Sequence, residues 1–144
     1  MALKNKKIPT DFIVNETLAE AVRGRTHKNK LTCASAFEIA KTRGAEPLLV
    51  GKTADVLQIE LDLCQLGLFG YPGHSKGWES ARVAELAVPT GLEEAIRSAR
   101  DSKGELACLA AWEVAARFEI PRIQVGYLAD KLGIGIRHCQ LGAF

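Results

Sequence analysis

The chain repeats itself. Shifted by 75 residues, Leu31–Phe69 falls on Leu106–Phe144 without a gap, and sixteen of the 39 positions are identical. Ordinary composition would produce about 2 or 3 such matches. The identities are Leu31/Leu106, Cys33/Cys108, Ala36/Ala111, Glu38/Glu113, Ala40/Ala115, Val50/Val125, Gly51/Gly126, Ala54/Ala129, Asp55/Asp130, Leu57/Leu132 and Ile59/Ile134, then Cys64-Gln-Leu-Gly against Cys139-Gln-Leu-Gly, and Phe69/Phe144. With one inserted residue the likeness extends back to Leu18-Ala-Glu-Ala-Val22 and Leu92-Glu-Glu-Ala-Ile96. An internal repeat constrains a fold before any residue-level reading does, because both copies must satisfy one plan.

The repeat divides the chain into a basic N-terminal arm at 1–14, a first repeat at 15–70, a linker at 71–90 and a second repeat at 91–144. The linker contains Tyr71-Pro-Gly-His-Ser-Lys-Gly-Trp78, rich in turn formers. Periodicity predicts three helices in each copy, near 16–24, 33–43 and 47–57, and near 92–101, 108–118 and 121–132. Asn15 is a helix-capping residue, Thr90 with Glu93 matches a capping box, and Pro47 and Pro121 suit helix openings. The segments after the third helices alternate: Ile59, Leu61 and Leu63 share one side, as do Ile134 and Ile136. Pairing these two short strands with each other is the least costly way to satisfy their backbone groups. The expected fold is mainly α, two tandem three-helix units each followed by a short β-strand, in a pseudo-twofold arrangement.

The second and third helices of the first copy carry Ala40, Gly44 and Val50 at a spacing that resembles the helix-turn-helix of DNA-binding regulators. In that family a small residue lets the helices cross, a glycine takes the left-handed turn and an aliphatic residue anchors the recognition helix. With a helix before and a strand after, each copy looks like a winged-helix variant. The second copy keeps Ala115 and Val125 but has Glu119 at the glycine position, so its turn is built differently or carries strain. The resemblance implies that the third helix reads DNA. The residues placed to do so are Arg122, Gln124, Tyr127 and Lys131 in the second copy, with Lys52 and Thr53 in the first. A packing-only reading of the same helices competes with it.

A composition of 47% hydrophobic and 25% charged residues excludes disordered and collagen-like chains. No apolar run approaches membrane-spanning length, and Lys4, Lys6 and Lys7 precede no apolar stretch of secretory length, so the expectation is a cytoplasmic protein. The net charge is only +2. Residues 1–30 hold seven Lys and Arg against three Asp and Glu, which makes the arm the basic end and a candidate for phosphate contact.

The four cysteines, Cys33, Cys64, Cys108 and Cys139, form no CxxC pair. Read as packing groups they hold a core; read as ligands they would form two symmetric pairs or one four-sulfur site. His27, His74 and His138 belong to no catalytic motif, and phosphate-binding and nucleophile-elbow motifs are missing from the sequence, so no enzyme and no cofactor are expected. The expected function is duplex DNA binding as a regulator, with a protein partner or a second copy also admitted. The competing function is an interaction, metal or redox module built on the repeated Cys-Gln-Leu-Gly segments.

Overall fold

A computed structural model describes residues 14–79 and 81–144. The expected basic arm therefore lies outside the described residues, apart from Val14. The elements are α1 (Glu16–Arg25), β1 (Lys30–Thr32), α2 (Cys33–Arg43), α3 (Pro47–Val56), β2 (Glu60–Asp62), a single 3-10 turn (Val83–Glu85), α4 (Leu92–Ser98), β3 (Leu106–Ala107), α5 (Cys108–Phe118), α6 (Arg122–Lys131) and β4 (Ile136–Arg137). The described chain is mainly helical, as expected. Both copies run in the same order: helix, strand, two helices, strand.

Local chemistry accounts for the helix ends. The Asn15 side chain accepts from the Leu18 N–H at 3.1 Å, and Pro47 occupies the first turn of α3. The capping box at Thr90 does not form. Gly91 takes the cap position with φ 89° and no side-chain cap bond, which leaves Thr90 one residue too early. Glu93 and Glu94 instead favour the positive end of the helix dipole. Between α5 and α6, Glu119 adopts φ 54° and ψ 44°, against 62° and 34° at Gly44 between α2 and α3. The same backbone bonds close both turns: Ala45 N–H to Ala40 O at 2.9 Å, and Ile120 N–H to Ala115 O at 3.0 Å. The second turn is thus built like the first, with a non-glycine residue held in the left-handed region.

The strand pairing differs from expectation. β2 pairs in parallel with β1 (Leu31 opposite Leu61), and β4 in parallel with β3 (Leu106 opposite Ile136), so each late strand finds its partner inside its own copy. Parallel strands need a long crossover, and the two intervening helices supply one. At two and three residues, β3 and β1 are too short to show alternation in the sequence.

The described chain forms two compact units, whose limits depart from those of the sequence repeats. Unit 1 holds the residues up to Cys64 together with Gln140–Phe144; unit 2 holds Gln65–Cys139. The segment that ends each copy therefore packs in the unit of the other. Leu66 and Leu141 are wholly buried there. In unit 1 the Leu141 carbonyl lies against Gly51 of α3, so closely that a Cβ at Gly51 would stand 1.7 Å from its oxygen. In unit 2 the Leu66 carbonyl lies against Gly126 of α6, where the distance would be 2.0 Å. Only glycine permits this approach, which is the reason both copies retain it. The remaining core is drawn from the repeat identities: Leu31, Ala36, Val50 and Ala54 in unit 1, and Leu106, Ala111, Val125 and Ala129 in unit 2, are almost without solvent exposure.

Candidate binding site

Two of the six side chains expected to read DNA are turned into the core. Thr53 is fully buried and its hydroxyl donates to Leu49 O at 2.8 Å. Gln124 is 4% exposed and its amide donates to Ala87 O at 2.8 Å, so the side chain is held against the protein. Both are corrections to the sequence reading, and the repeat itself carried the signal. Thr53 aligns with Leu128 and Gln124 with Leu49, so the other copy holds an apolar residue at each of these two positions. The side of α3 and α6 that bears Gly51 and Gly126 is likewise covered, by the Leu141 and Leu66 segments.

Arg122, Lys131, Lys52 and Tyr127 remain exposed or half-exposed. Arg122 stacks its guanidinium 3.6 Å from the centre of the Trp112 ring and donates to Gln65 Oε1 at 3.4 Å. Tyr127 meets Trp78 edge to face, with ring centres 5.7 Å apart, and the Lys131 ammonium lies 5.5 Å from the Tyr127 ring. The structure thus joins Tyr127 and Lys131 to a residue outside the helices.

That residue belongs to the stretch expected to act as a linker, which packs into unit 2. The Trp78 indole N–H donates to Leu66 O at 3.1 Å, Gly77 N–H to Gly67 O at 2.8 Å, and the Lys76 ammonium to Leu68 O at 3.3 Å. The repeated Cys-Gln-Leu-Gly segment is therefore the floor on which this loop is built. Lys76 also lies 5.7 Å from the Trp78 ring. The result is a cleft of about 500 Å³ with Trp78 and Tyr127 as its apolar wall and His74, Lys76, Glu79, Arg82 and Glu85 around it. His74 Nδ1 stands 3.5 Å from Glu79, and Arg82 pairs with Glu85 at 2.7 Å, so the rim is charged in both signs. Sequence reasoning passed over Trp78; its one visible signal was a large aromatic placed in a turn-rich stretch.

Cys33 and Cys64 lie buried in unit 1, Cys108 buried and Cys139 half-buried in unit 2, and all four carry thiols rather than disulfides. Among the described residues, the group of three or more ligand-type side chains whose donor atoms come within 4.8 Å of one another is Asp101, Glu105 and His138, which contains no cysteine. Its carboxylates are already engaged. Asp101 Oδ1 accepts from the backbone N–H groups of Glu105 and Lys103, which holds its carboxyl below the ordinary range, and Glu105 pairs with Arg137 at 3.2 Å.

Charge adds a further observation. Residues 14–64 contain seven Lys and Arg and seven Asp and Glu; residues 65–139 contain nine of each. The described part of each unit is formally neutral, and the +2 of the whole chain comes from residues 1–13. No helix among the described residues is long and apolar enough to cross a membrane. No family model matches the chain, and no curated protein or solved structure matches it.

Proposed function

We propose that this protein is a non-catalytic binding module in which the helix-turn-helix-like pairs α2–α3 and α5–α6 serve as scaffold, with the Trp78–Tyr127 cleft of unit 2 as the contact surface for a protein partner. The observation that carries this reading is the inward turn of two of the expected contact residues: beside Gly51 and Gly126, which press against backbone carbonyls, Thr53 and Gln124 donate to Leu49 O and Ala87 O. A helix that reads a major groove does so with side chains on its open face, and of the six expected there these two are withdrawn from it. The neutrality of the described part of both units supports the same conclusion, since affinity for duplex DNA rests on cations that displace counterions from phosphate. Trp, Tyr and Arg beside a mixed-charge rim are the composition of protein interfaces. The reading includes the pseudo-twofold duplication expected from the sequence, for which the reciprocal placement of the two Leu-Gly segments is the support.

DNA binding is the second reading. It is favoured by Arg122 and Lys131, both exposed on α6, and by Lys4, Lys6 and Lys7 in the arm. Titration of the protein into a labelled random-sequence duplex, followed by anisotropy at low and physiological salt, separates the two. The module reading expects weak binding or none, unchanged in Arg122→Ala. Affinity that survives physiological salt, falls steeply as salt rises and is lost in Arg122→Ala would replace it with the DNA reading.

A further inference from the structure

The Trp78–Tyr127 cleft lies wholly within unit 2, and the charges around it are of two kinds. One kind is already paired. Arg82 meets Glu85 through two contacts, Nε to Oε2 at 2.7 Å and Nη2 to Oε1 at 2.9 Å, and His74 Nδ1 stands 3.5 Å from Glu79. The other kind consists of Lys76 and Lys131. Their ammonium groups lie 5.7 Å from the Trp78 ring and 5.5 Å from the Tyr127 ring, so each half of the aromatic wall carries its own cation. Lys76 also donates to Leu68 O, a neutral acceptor, and among the described residues neither lysine pairs with a carboxylate. The uncompensated charge at the two rings is therefore positive. A cationic side chain entering the cleft would meet like charge at both rings, whereas a carboxylate would find an ammonium group at each. Trp78 and Tyr127 are both half-buried and offer apolar surface to an anchoring side chain, and a cleft of about 500 Å³ has room for one.

We propose that this cleft takes a short acidic segment of a partner protein, with an aromatic or aliphatic side chain against Trp78 and Tyr127 and Asp or Glu beside it on Lys76 and Lys131. The proposal rests on the reading of the cleft as the contact surface and adds the chemistry of its occupant. Two observations favour a peptide over a single-stranded nucleic acid. The rings stand at 72° to each other and make no parallel platform for successive bases, and the carboxylates of Glu79 and Glu85 on the rim oppose a continuous run of phosphates. A peptide can place its carboxylates at the lysines alone.

The test follows the indole N–H resonances of the two tryptophans by NMR in the full-length protein. The probes, titrated to millimolar concentration, are acetyl-Glu-Asp-Phe-Glu-Asp-amide, its neutral counterpart with Gln and Asn, its basic counterpart with Lys throughout, and oligothymidylate. The acidic peptide is expected to shift the Trp78 resonance saturably, to bind more tightly than the neutral one and to weaken as salt rises, while the basic peptide leaves the resonance in place. Lys76→Gln and Lys131→Gln should each weaken the acidic peptide about two- to fivefold. In the double variant Lys76→Glu with Lys131→Glu the basic peptide should bind better than the acidic one, a reversal that a merely structural role of the lysines would not produce. Equal binding of the three peptides to the wild type, or a preference for the basic or neutral one, would overturn the acidic occupant and leave the cleft as contact surface standing. A Trp78 shift with oligothymidylate and with no peptide would overturn both in favour of nucleic acid, and no shift with any probe would also overturn both. The ranking in the wild type needs no variant to fold.

Discussion

The first repeat turns from α2 into α3 through Gly44 and the second turns from α5 into α6 through Glu119, yet the two backbones agree to within about ten degrees in φ and ψ. The agreement is general. Positive φ recurs at the 75-residue shift in the pairs 29/104, 44/119, 58/133, 63/138 and 67/142, although glycine stands at both positions only in the last. The path of the chain has outlasted the residues that make it easy. The copies part company after their late strands, where the first Leu-Gly segment carries the loop of Trp78 on its carbonyls.

That difference is open to measurement. Adding a methyl group at Gly126 or Gly51 forces a backbone carbonyl away from its helix, and the consequences should be unequal. In unit 2 the displaced segment also anchors Trp78, Gly77 and Lys76, so Gly126→Ala is expected to cost about 3 kcal/mol or more. In unit 1 no such loop is built on the Leu141 segment among the described residues, and Gly51→Ala is expected to cost about 1–3 kcal/mol. Urea denaturation of both variants gives the comparison; equal losses would show that the loop draws no support from the segment beneath it.

A smaller effect is expected at the turns. Glu119→Gly removes the strain of a side chain in the left-handed region and should stabilise by about 0.5–1 kcal/mol, while Gly44→Glu should cost a similar amount. The same denaturation series decides it. If Glu119→Gly destabilises, the glutamate makes a contact that outweighs its backbone strain.

The smallest effect concerns the late strands, where Asp62 of β2 aligns with Arg137 of β4. Burial pushes the Asp62 carboxyl above its ordinary range, Lys30 draws it back and Glu60 adds to the rise; Oδ1 is buried without a hydrogen-bond partner. A raised carboxyl pKa means that the native state holds the proton more tightly than the unfolded chain does. The cost of the charge is therefore present at neutral pH and disappears as pH falls below the range in which the unfolded carboxyl titrates. Asp62→Asn should raise the Tm slightly at neutral pH and leave it unchanged in acid. A Tm that falls at neutral pH would mean that attraction to Lys30 outweighs the burial.

Much of the helical framework was legible in the residues. The Asn15 cap, the opening at Pro47 and the apolar spacing of Val50 with Ala54 are local signals, and each helix stands within a few residues of its expected limits. The candidate cleft was legible only in part. Tyr127, expected on the third helix as a DNA contact, lines the cleft, while Trp78, which supplies the facing ring, sits 49 residues earlier in the chain and offered no periodicity to read. Thr53 and Gln124 were chosen by their place on the third helix, and the structure buries both with donors directed to Leu49 O and Ala87 O.

By itself, then, the amino-acid order determined the features that short-range chemistry controls: the duplication, the helices and the small or apolar residues that must lie inside. It could not decide which surfaces meet. Cys-Gln-Leu-Gly-x-Phe reads identically in both copies, so no local rule says whether it seats on its own helix or on its twin's. The same holds for β2 and β4, whose unpaired edges accept any strand of suitable length. Those choices depend on the closure of the chain and on the close approach of carbonyls to Gly51 and Gly126, contacts between residues far apart in sequence that exist only once the tertiary structure has formed.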